Sequence, residues 1–593
     1  MFAMDQLYIE IEIKTRNDNT EIYSNVQSFI ALYMYRYLHS PSNIKLNFVR
    51  TTIQGGKLRL RSESLRRELT EEKIHRKEAT SVEAIRDLKL PIYAKEGNTY
   101  IAGMCAVCRE LVERQECPER RKLLGFKGAC LLAPAEASIW TRFCEVDMVD
   151  AISCLLCTLD SGKIVEEMPK VVPRFERHMN EPVRMHNIYK TAREQVQQQN
   201  KCDGLKKKGK IILDCSVPKE LLPIEHRFAE GITFTIADII LYTFMRLIFR
   251  HCEYMLVHFP LINTWLSEID AFEQSCGQIL NELYFHESAN QSTSLLKIPD
   301  CEAASLYKSD PKRYKPRNRI FTEQSEVDAA LNKLERLKLQ FSSDTANTYD
   351  KNHIDWDVIE PEHEKSSALP RERIIRKRQQ LQNVANAVIS LAKPGERIVD
   401  FCSGTGHLGI LLALELPKCV IILMENKAIS LERAKQRATE LGLKNCRFYQ
   451  CNIDYFEGYF DVGTSLHACG TATDIVLQQC HRSRAKFVCC PCCYGSLQPM
   501  PHIPYPLSQR FRTVLSEKDY LYIAHTADQA HELGTLNCRP ETTRQGQLCM
   551  DIVDTDRKLQ AEEVGYDVIL TRLKPEQCTP KNRLLVGCIA IAS

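Results

Sequence analysis

The stretch RIVDFCSGTGHLGILLAL, residues 397–414, joins an apolar strand to a helix through a glycine-rich turn. Gly404, Gly406 and Gly409 fit the pattern G-x-G-x-x-G, which binds nucleotide cofactors in β-α-β folds. A second apolar strand, VIILMEN, places Glu425 nineteen residues after Gly406, where an acidic side chain can bind a ribose. This spacing predicts a Rossmann-like, doubly wound α/β domain over residues 371–593.

Two classes of cofactor fit such a turn. In dinucleotide folds the strand usually runs directly into the first glycine, whereas here Asp400 precedes Gly404 by four residues. The series Asp400-x-Cys402-x-Gly404-x-Gly406 resembles that of S-adenosylmethionine-dependent methyltransferases, in which an acid is followed by small residues at alternate positions. The ammonium and sulfonium charges of that cofactor favour a nearby carboxylate. The resemblance implies that S-adenosyl-L-methionine binds Asp400, Cys402, Gly404, Gly406 and Glu425, and it leaves a nicotinamide or flavin, or an empty relic site, as alternatives.

The segments downstream continue the alternation of strands and helices. CRFYQCNID predicts a third strand that places Asn452 or Asp454 near the adenine, and YFDVGTSLHACG predicts a fourth. Thr471 and Asp474 have the spacing of a capping box at the start of the next helix. KFVCCPCCYG predicts a fifth strand, and YDVILTRL and RLLVGCIAIA predict an antiparallel closing pair.

Polar and sulfur-bearing side chains follow the fourth and fifth strands. His467 and Cys469 end the fourth, and Cys492 and Tyr494 follow the fifth. Ligands of open α/β sheets gather beyond the carboxyl ends of neighbouring strands, so we expect these four residues to face the transferred group. The favoured interpretation is a pocket wall in which Tyr494 stacks on a base or closes the site, with His467 as a possible general base.

Two other roles for the cysteines stay open. A thiolate nucleophile is possible at Cys469 or Cys492, because some pyrimidine C5-methyltransferases carry cysteines after these two strands. Zinc could bind the C-x-x-C pairs Cys490–Cys493 and Cys489–Cys492, with His467 and Cys469 completing a set, but no second C-x-x-C motif is present. The expectation from spacing is therefore no metal.

The amino-terminal half has a different pattern of predicted strands and helices. The pattern predicts the order β-α-β-(α)-β-β-α, typical of a thioredoxin-like domain over residues 1–115, with the bracketed helix in the charged stretch Lys57–Arg86. The other segments are LYIEIEIK, SNVQSFIALYMYRYLH, IKLNFV, KLPIYAKEGNTYIAG and MCAVCRELVERQ. Helical patterns dominate residues 116–295, where Thr235 and Asp238 predict a capping box.

This pairing of domains resembles the soluble glutathione transferases. Pro91 stands at the position of their cis-proline, and Pro260 opens their P-x-x-x-x-W motif. Ala102 and Gly103 stand where that family offers an acid and a serine to glutathione. Glutathione binding is therefore doubtful, and the half is expected to serve recognition or assembly.

A basic linker and one helix are expected at residues 296–370, and two basic segments lie within this range and directly after it. They occupy 308–319, with two tyrosines interleaved, and 371–378, and both suit contacts with RNA phosphates. The motif HACG-x-ATD is similar to one in a family of tRNA 2′-O-methyltransferases. DFCSGTGHLG, LHACGTATD and CCPCCYG behind a transferase-like half together resemble a family that fuses the two kinds of domain. The resemblance implies a methyltransferase acting on RNA; a non-catalytic interaction protein with a vestigial cofactor fold and a glutathione transferase are the alternatives.

Charge, cysteine count and the lengths of apolar runs exclude several classes of protein. The 79 basic and 76 acidic side chains exclude a uniformly basic nucleic-acid binder, but not local basic patches. The start of the chain lacks a secretory pattern, and its 26 cysteines lack the spacing of a disulfide module. No apolar run is long enough for a membrane helix. We expect a cytoplasmic protein with reduced thiols, which could form oligomers.

Overall fold

Two compact units make up the chain in the computed structural model, Met1–Lys315 and Pro316–Ser593. Their boundary lies within the expected linker at 296–370, and the finer division into domains stays a prediction. The described residues are 4–16, 19–65, 74–75, 83–96, 98–132, 139–185, 188–202, 216–218, 221–286, 296–301, 306, 322–341, 349, 354, 356, 370–500, 502–530 and 539–590. The basic segment 308–319 lies outside them.

The first unit contains a mixed sheet. Its strands are β1 (Asp5–Arg16), β2 (Asn19–Asn25), β3 (Ile44–Arg50), β4 (Lys57–Leu60), β5 (Ile74–His75), β6 (Ile92–Lys95) and β7 (Thr99–Ala102). The first half of β1 lies between parallel β3 and antiparallel β6, and β6 pairs with antiparallel β7. The second half of β1 pairs with β2, a strand that the sequence patterns do not predict. Leu7, Ile9 and Ile11 are fully buried, as the alternating pattern of β1 requires.

Helices form most of the rest of this unit. They are α1 (Val26–Tyr37), α2 (Ala84–Asp87), α3 (Met104–Glu113), α4 (Pro118–Arg121), α5 (Ile139–Arg142), α6 (Met148–Asp160), α7 (Val171–Met179), α8 (Ile188–Cys202), α9 (Ile236–Phe249), α10 (Pro260–Phe272) and α11 (Ser275–Leu283). The buried carboxylate of Asp238 accepts hydrogen bonds from the Thr235 N–H at 2.9 Å and the Trp265 indole at 3.1 Å. The capping carboxylate predicted at the start of α9 is therefore present, and it also joins α9 to α10.

The second unit contains a seven-stranded sheet among its described residues. Its strands are β8 (Arg397–Phe401), β9 (Val420–Met424), β10 (Cys446–Gln450), β11 (Val462–Ser465), β12 (Lys486–Cys489), β13 (Tyr566–Arg572) and β14 (Arg583–Ile589). The order is β10-β9-β8-β11-β12-β14-β13, with the first five strands parallel. β14 is antiparallel to both its neighbours. This confirms the Rossmann-like sheet and its antiparallel closing pair.

Helices of this unit cover the sheet. They are α12 (Gln324–Leu334), α13 (Arg371–Leu391), α14 (His407–Glu415), α15 (Ala428–Glu440), α16 (Thr471–Ser483), α17 (Gln509–Arg512), α18 (Glu517–Ala527) and α19 (Pro540–Glu563). α14, α15 and α16 connect successive parallel strands, as the β-α-β pattern predicts. α17, α18 and α19 are not predicted by the sequence patterns, and they form a separate apolar core with α12. Of the helices described in both units, none is long and apolar enough to cross a lipid bilayer.

Candidate functional site

Asp400 lies inside the sheet, next to the glycine-rich turn. It is in β8 and almost fully buried, and its Oδ2 accepts the Gly409 N–H at 2.9 Å. Burial raises the pKa of this carboxyl to about 8, and the neighbouring Glu425 adds to the effect. The carboxyl group therefore fixes the start of α14 and is reluctant to ionise in the free protein.

Cys402, Gly404 and Gly406 all have left-handed backbone conformations, with φ of 56°, 57° and 77°. A Cβ atom on Gly406 would come within 2.6 Å of the Ala434 Cβ, so glycine is needed there for close packing. A Cβ atom on Gly404 would meet no atom within 4 Å. The turn thus packs tightly against α15 at Gly406 and faces open space at Gly404. The half-buried backbone at Gly404 is therefore open to approach from one side.

Glu425 lies directly beyond β9, at the same edge of the sheet. The residue is 9% exposed, and its carboxylate accepts the Gly404 N–H at 2.9 Å and the Lys427 N–H at 3.0 Å. The neighbouring Asn426 amide donates to the Asn452 Oδ1 at 3.2 Å, after β10. The structure therefore brings Glu425 and Asn452, predicted for ribose and adenine, to one edge beside the turn.

Asp454 and His467 occupy more exposed positions. Asp454 lies in the short helical turn Ile453–Tyr455, and its side chain is exposed. His467 follows β11 and is also exposed, but partial desolvation and the charge of Lys377 lower the pKa of its imidazole. Because Lys377 belongs to α13, the basic first turns of that helix act electrostatically on the edge that carries His467.

Three cysteines converge beyond β11 and β12. The Cys469 Sγ lies 3.6 Å from the Cys492 Sγ and 3.3 Å from the Cys493 Sγ, and all three sulfur atoms are within 4.8 Å of one another. Cys469 is exposed and the other two are half-buried. Thiol hydrogen bonds from Cys492 and Cys493, helped by Lys427, lower the pKa of Cys469, and the same contact raises that of Cys492. We call these three residues the thiol cluster.

Backbone contacts hold the thiol cluster in place. The Gly470 N–H donates to the Cys492 carbonyl at 3.1 Å. A Cβ on Gly470 would come within 2.6 Å of the Ser496 carbonyl oxygen, so the two connections after β11 and β12 are in close contact. Cys493 has φ of 54°, a left-handed conformation that non-glycine residues rarely adopt.

The other two cysteines of CCPCC point elsewhere. Cys489 and Cys490 are 0% and 4% exposed, and burial raises the pKa of both thiols. The C-x-x-C pairs Cys490–Cys493 and Cys489–Cys492 are therefore each divided between the core and the surface. The zinc ligand set considered from spacing is wrong, because β12 turns its last side chains inward before the chain emerges at Cys492.

Tyr494 corrects another prediction. Its side chain is 0% exposed, and its hydroxyl donates to the Asp554 Oδ2 at 2.7 Å. It cannot stack on a bound base or close a pocket, because the chain turns back into the core beneath α18 and α19 directly after Cys493. Its role is structural.

Asp474 is also not the capping residue that the sequence suggests. Its carboxylate binds the buried Arg557 guanidinium, at 2.7 Å from Nε, and accepts the Tyr505 hydroxyl at 2.6 Å. Arg557 also binds the Asp554 Oδ1 at 2.9 Å. This network joins α16 to α19. The sequence does not predict it, because the charged residues of α19 recur every three or four positions, a spacing that is also typical of an exposed helix face.

Comparison with known proteins places this site in context. A family described as "Methyltransferase domain" matches residues 376–500. A Drosophila pseudoobscura pseudoobscura relative, "Glutathione S-transferase C-terminal domain-containing protein homolog", is 68% identical over 98% of this chain and 99% of its own. The chain belongs to this family. The Homo sapiens glutathione S-transferase C-terminal domain-containing protein is 35% identical, over 85% of this chain and 86% of its own. The predicted resemblance to a family of fused domains is confirmed.

Two more distant likenesses are to proteins named as methyltransferases. The ribosomal RNA small subunit methyltransferase G of Vibrio campbellii is 35% identical over 96 residues, 16% of this chain and 44% of its own. Among solved structures, the methyltransferase domain of bacterial CtHen1 is 17% identical with a TM-score of 0.24, covering 36% of this chain and 100% of its own.

Proposed function

We propose that this member of the glutathione S-transferase C-terminal domain-containing family is an S-adenosylmethionine-dependent methyltransferase that acts on RNA. The observation that carries the proposal is the open space over Gly404, bordered by Glu425, within the matched methyltransferase domain. An adenosine cofactor needs a backbone that it can approach closely and an acid for its ribose hydroxyls. Both requirements are met at one edge of the sheet.

Residues of the chain would bind the cofactor and accept a proton in the following way. Glu425 accepts the ribose hydroxyls, Asn452 meets the adenine, and the backbone at Gly404 contacts the sugar and the amino-acid part. When bound, S-adenosylmethionine supplies a methyl group on an electrophilic sulfonium. The lowered pKa of His467 keeps its imidazole neutral at pH 7, so it is able to accept a proton from the group that is methylated.

The choice of RNA rests on charge and on the relative that modifies ribosomal RNA. Residues 371–378 form the first turns of α13, where Arg371 and Arg373 are exposed. Lys377, in the same turns, interacts electrostatically with His467. A phosphate backbone bound along these turns would lie beside the candidate base. The basic segment 308–319 would add contacts if it binds the same strand.

Calorimetric titration with S-adenosylhomocysteine tests the cofactor. We expect micromolar affinity, and we expect Glu425→Gln to weaken it by about 1–3 kcal/mol, the scale of charge-assisted hydrogen bonds. Glu432→Gln, an exposed glutamate on α15, is the matched control and should bind normally. Absence of binding to the folded protein would contradict the proposal and favour a non-catalytic interaction protein.

Binding to an RNA pool at several salt concentrations tests the substrate class. Arg371→Gln with Arg373→Gln should weaken RNA binding and lower the salt slope by about 1 to 2, since each phosphate contact contributes nearly one unit. Arg433→Gln with Lys444→Gln removes the same charge from other exposed positions and serves as the control. Equal loss in both double variants would show only a general charge effect and would contradict an RNA site on α13.

For the first unit, we propose a glutathione-transferase-like scaffold that serves docking or assembly. The order β3-β1-β6-β7 and the directions of its strands support this. At the start of α3, the Cys105 N–H already donates to the buried Glu145 carboxylate at 3.1 Å. A glutathione carboxylate would have to compete with this internal acid, so we expect no retention on immobilised glutathione. Retention that free glutathione reverses would overturn this proposal.

A further inference from the structure

The thiol cluster brings together Cys469 and one cysteine from each of the two C-x-x-C pairs, a set of three that differs from either pair. Cys469 comes from the connection after β11, and Cys492 and Cys493 come from the connection after β12. All three sulfur atoms lie within 4.8 Å of one another. Cysteine sulfur is a strong ligand for thiophilic metal ions, so the distances between these atoms decide whether one ion could bind all three.

The separations are close to those around a tetrahedral ion. With zinc–sulfur bonds of about 2.3 Å and tetrahedral angles, two ligand sulfurs lie about 3.8 Å apart. The Cys469 sulfur is 3.6 Å from that of Cys492 and 3.3 Å from that of Cys493. The remaining separation, between the Cys492 and Cys493 sulfurs, is at most 4.8 Å, so shifts of up to about 1 Å would bring all three sulfurs to bonding distance of one ion.

The local backbone is arranged for convergence. Adjacent residues in an extended chain point their side chains in opposite directions. The left-handed conformation of Cys493, with φ of 54°, instead brings its sulfur to the side of the Cys469 sulfur, where Cys492 also points. A non-glycine residue in this conformation costs about 1 kcal/mol or more and persists where the surroundings impose it, often at functional sites.

The surroundings also balance charge. Three thiolates around a divalent ion leave a net charge of about −1. Lys427 interacts electrostatically with Cys469, and Lys581 does so with Cys493. Asp528, which pairs with Lys581 at 2.9 Å and also acts on Cys469, reduces their effect, so the two cations and this anion together leave about one positive charge to offset the site. Cys469 is exposed, so a fourth ligand position faces solvent, as in zinc sites that bind water or substrate.

We propose that Cys469, Cys492 and Cys493 bind one zinc ion, with the fourth coordination position open to solvent. Binding replaces the thiol protons with metal–sulfur bonds and releases those protons to solvent, with no change of oxidation state. The site lies at the same edge of the sheet as the proposed cofactor turn but shares no residue with it.

Elemental analysis of the full chain, purified under reducing conditions, is the direct test. We expect about one zinc per chain, lost on Cys469→Ser or Cys492→Ser. Cys154→Ser, at an exposed cysteine of the first unit, is the matched control and should retain the ion. Zinc that stays on both cluster variants, or that is missing from the wild-type protein and cannot be reloaded, would overturn the proposal.

Two measurements on the wild-type protein guard against variants that fail to fold. Cobalt added to the metal-free chain should give the intense near-ultraviolet absorption of thiolate-to-cobalt charge transfer. Alkylation followed by mass spectrometry should show Cys469, Cys492 and Cys493 protected by zinc, and Cys154 equally reactive with and without it. Absence of the band, or a disulfide within the cluster formed in the presence of zinc, would refute metal binding. The zinc count is independent of cofactor affinity, so a chain that binds zinc but not S-adenosylhomocysteine would contradict only the proposed function.

Discussion

The buried arginine of α19 offers a sharp test of how the second unit is stabilised. Arg557→Met keeps most of the side-chain volume and removes its charge. The Arg557 side chain is 1% exposed, and it pairs with Asp474 and Asp554, which are 1% and 0% exposed. Removing one partner of a buried ion pair leaves the other charge uncompensated, which typically costs about 3–5 kcal/mol.

The hydrogen bonds that remain in Arg557→Met place the expected loss of folding free energy near the lower end of this range of about 3–5 kcal/mol. Asp474 keeps the Tyr505 hydroxyl at 2.6 Å, and Asp554 keeps the Tyr494 hydroxyl at 2.7 Å. Each carboxylate thus retains one donor, and we expect a loss of about 3 kcal/mol at pH 7. Without the cation, the folded-state pKa of the Asp554 carboxyl, which burial already raises, rises further above the unfolded value. The loss of stability should therefore shrink as the pH falls and a proton neutralises Asp554.

Hydrogen exchange measured by mass spectrometry on peptides from Pro540–Glu563 reads this loss locally, which suits a chain of two units. Lys558→Met is the matched control, since it removes a cation from the next position of the same helix. Lys558 is 35% exposed and pairs with Glu562 at 3.7 Å, an interaction worth about 0–1 kcal/mol. If Arg557→Met lost no more protection than Lys558→Met, or lost the same amount at pH 5 as at pH 7, the reasoning would be refuted.

Three further predictions concern the site and its support. The pKa of Asp400 is raised to about 8, so its ionisation destabilises the folded state as the pH rises from about 4 towards 8. In denaturant unfolding, Asp400→Asn should therefore gain stability relative to wild type between pH 5 and pH 8. A difference in the free energy of unfolding that stays constant with pH would argue against this. Gly406→Ala should lower the free energy of unfolding by about 2 kcal/mol or more in thermal unfolding, because its Cβ would clash at 2.6 Å. Gly404→Ala should lower it by only about 1 kcal/mol, yet impair S-adenosylhomocysteine binding. The reverse ranking in stability would contradict the packing argument. Tyr494→Phe should lose about 1–2 kcal/mol of stability with unchanged cofactor affinity in calorimetry, and a selective loss of RNA methylation without destabilisation would restore a direct role for the tyrosine.

The parts of the second unit that sequence predicts well are those coded locally. The turn at Gly404 and Gly406, the acid at Glu425 and the alternation of strands depend on neighbouring residues and on period, so their positions follow from the pattern. The rule that ligands collect beyond the carboxyl ends of strands also brought Cys469 and Cys492 together correctly.

The errors share one cause. Tyr494 and Asp474 have polar groups that could serve a site, but each is paired with a residue of α19, some 60 to 83 positions further along the chain. Nothing within either motif reveals such a partner. The buried Cys490 thiol likewise contacts a distant residue, since it donates to the Lys581 carbonyl at 3.7 Å. Contacts made across long stretches of sequence decide which polar groups of a motif are available for chemistry.

The position of β14 has a consequence for how the second unit is made. This strand, Arg583–Ile589, lies between β12 and β13, and it bonds to both. Until a ribosome has released residues up to Ile589, β12 has an open edge, and β13 has no partner in this sheet. Arg583, which binds Asp551 at 2.7 Å on α19, arrives at the same late moment. Synthesis through residue 580 therefore yields a chain with unpaired strand edges, which is a template for aggregation. We expect the nascent protein to depend on chaperones during this interval, and ribosomes that stall shortly before residue 583 to leave products that are degraded rather than folded.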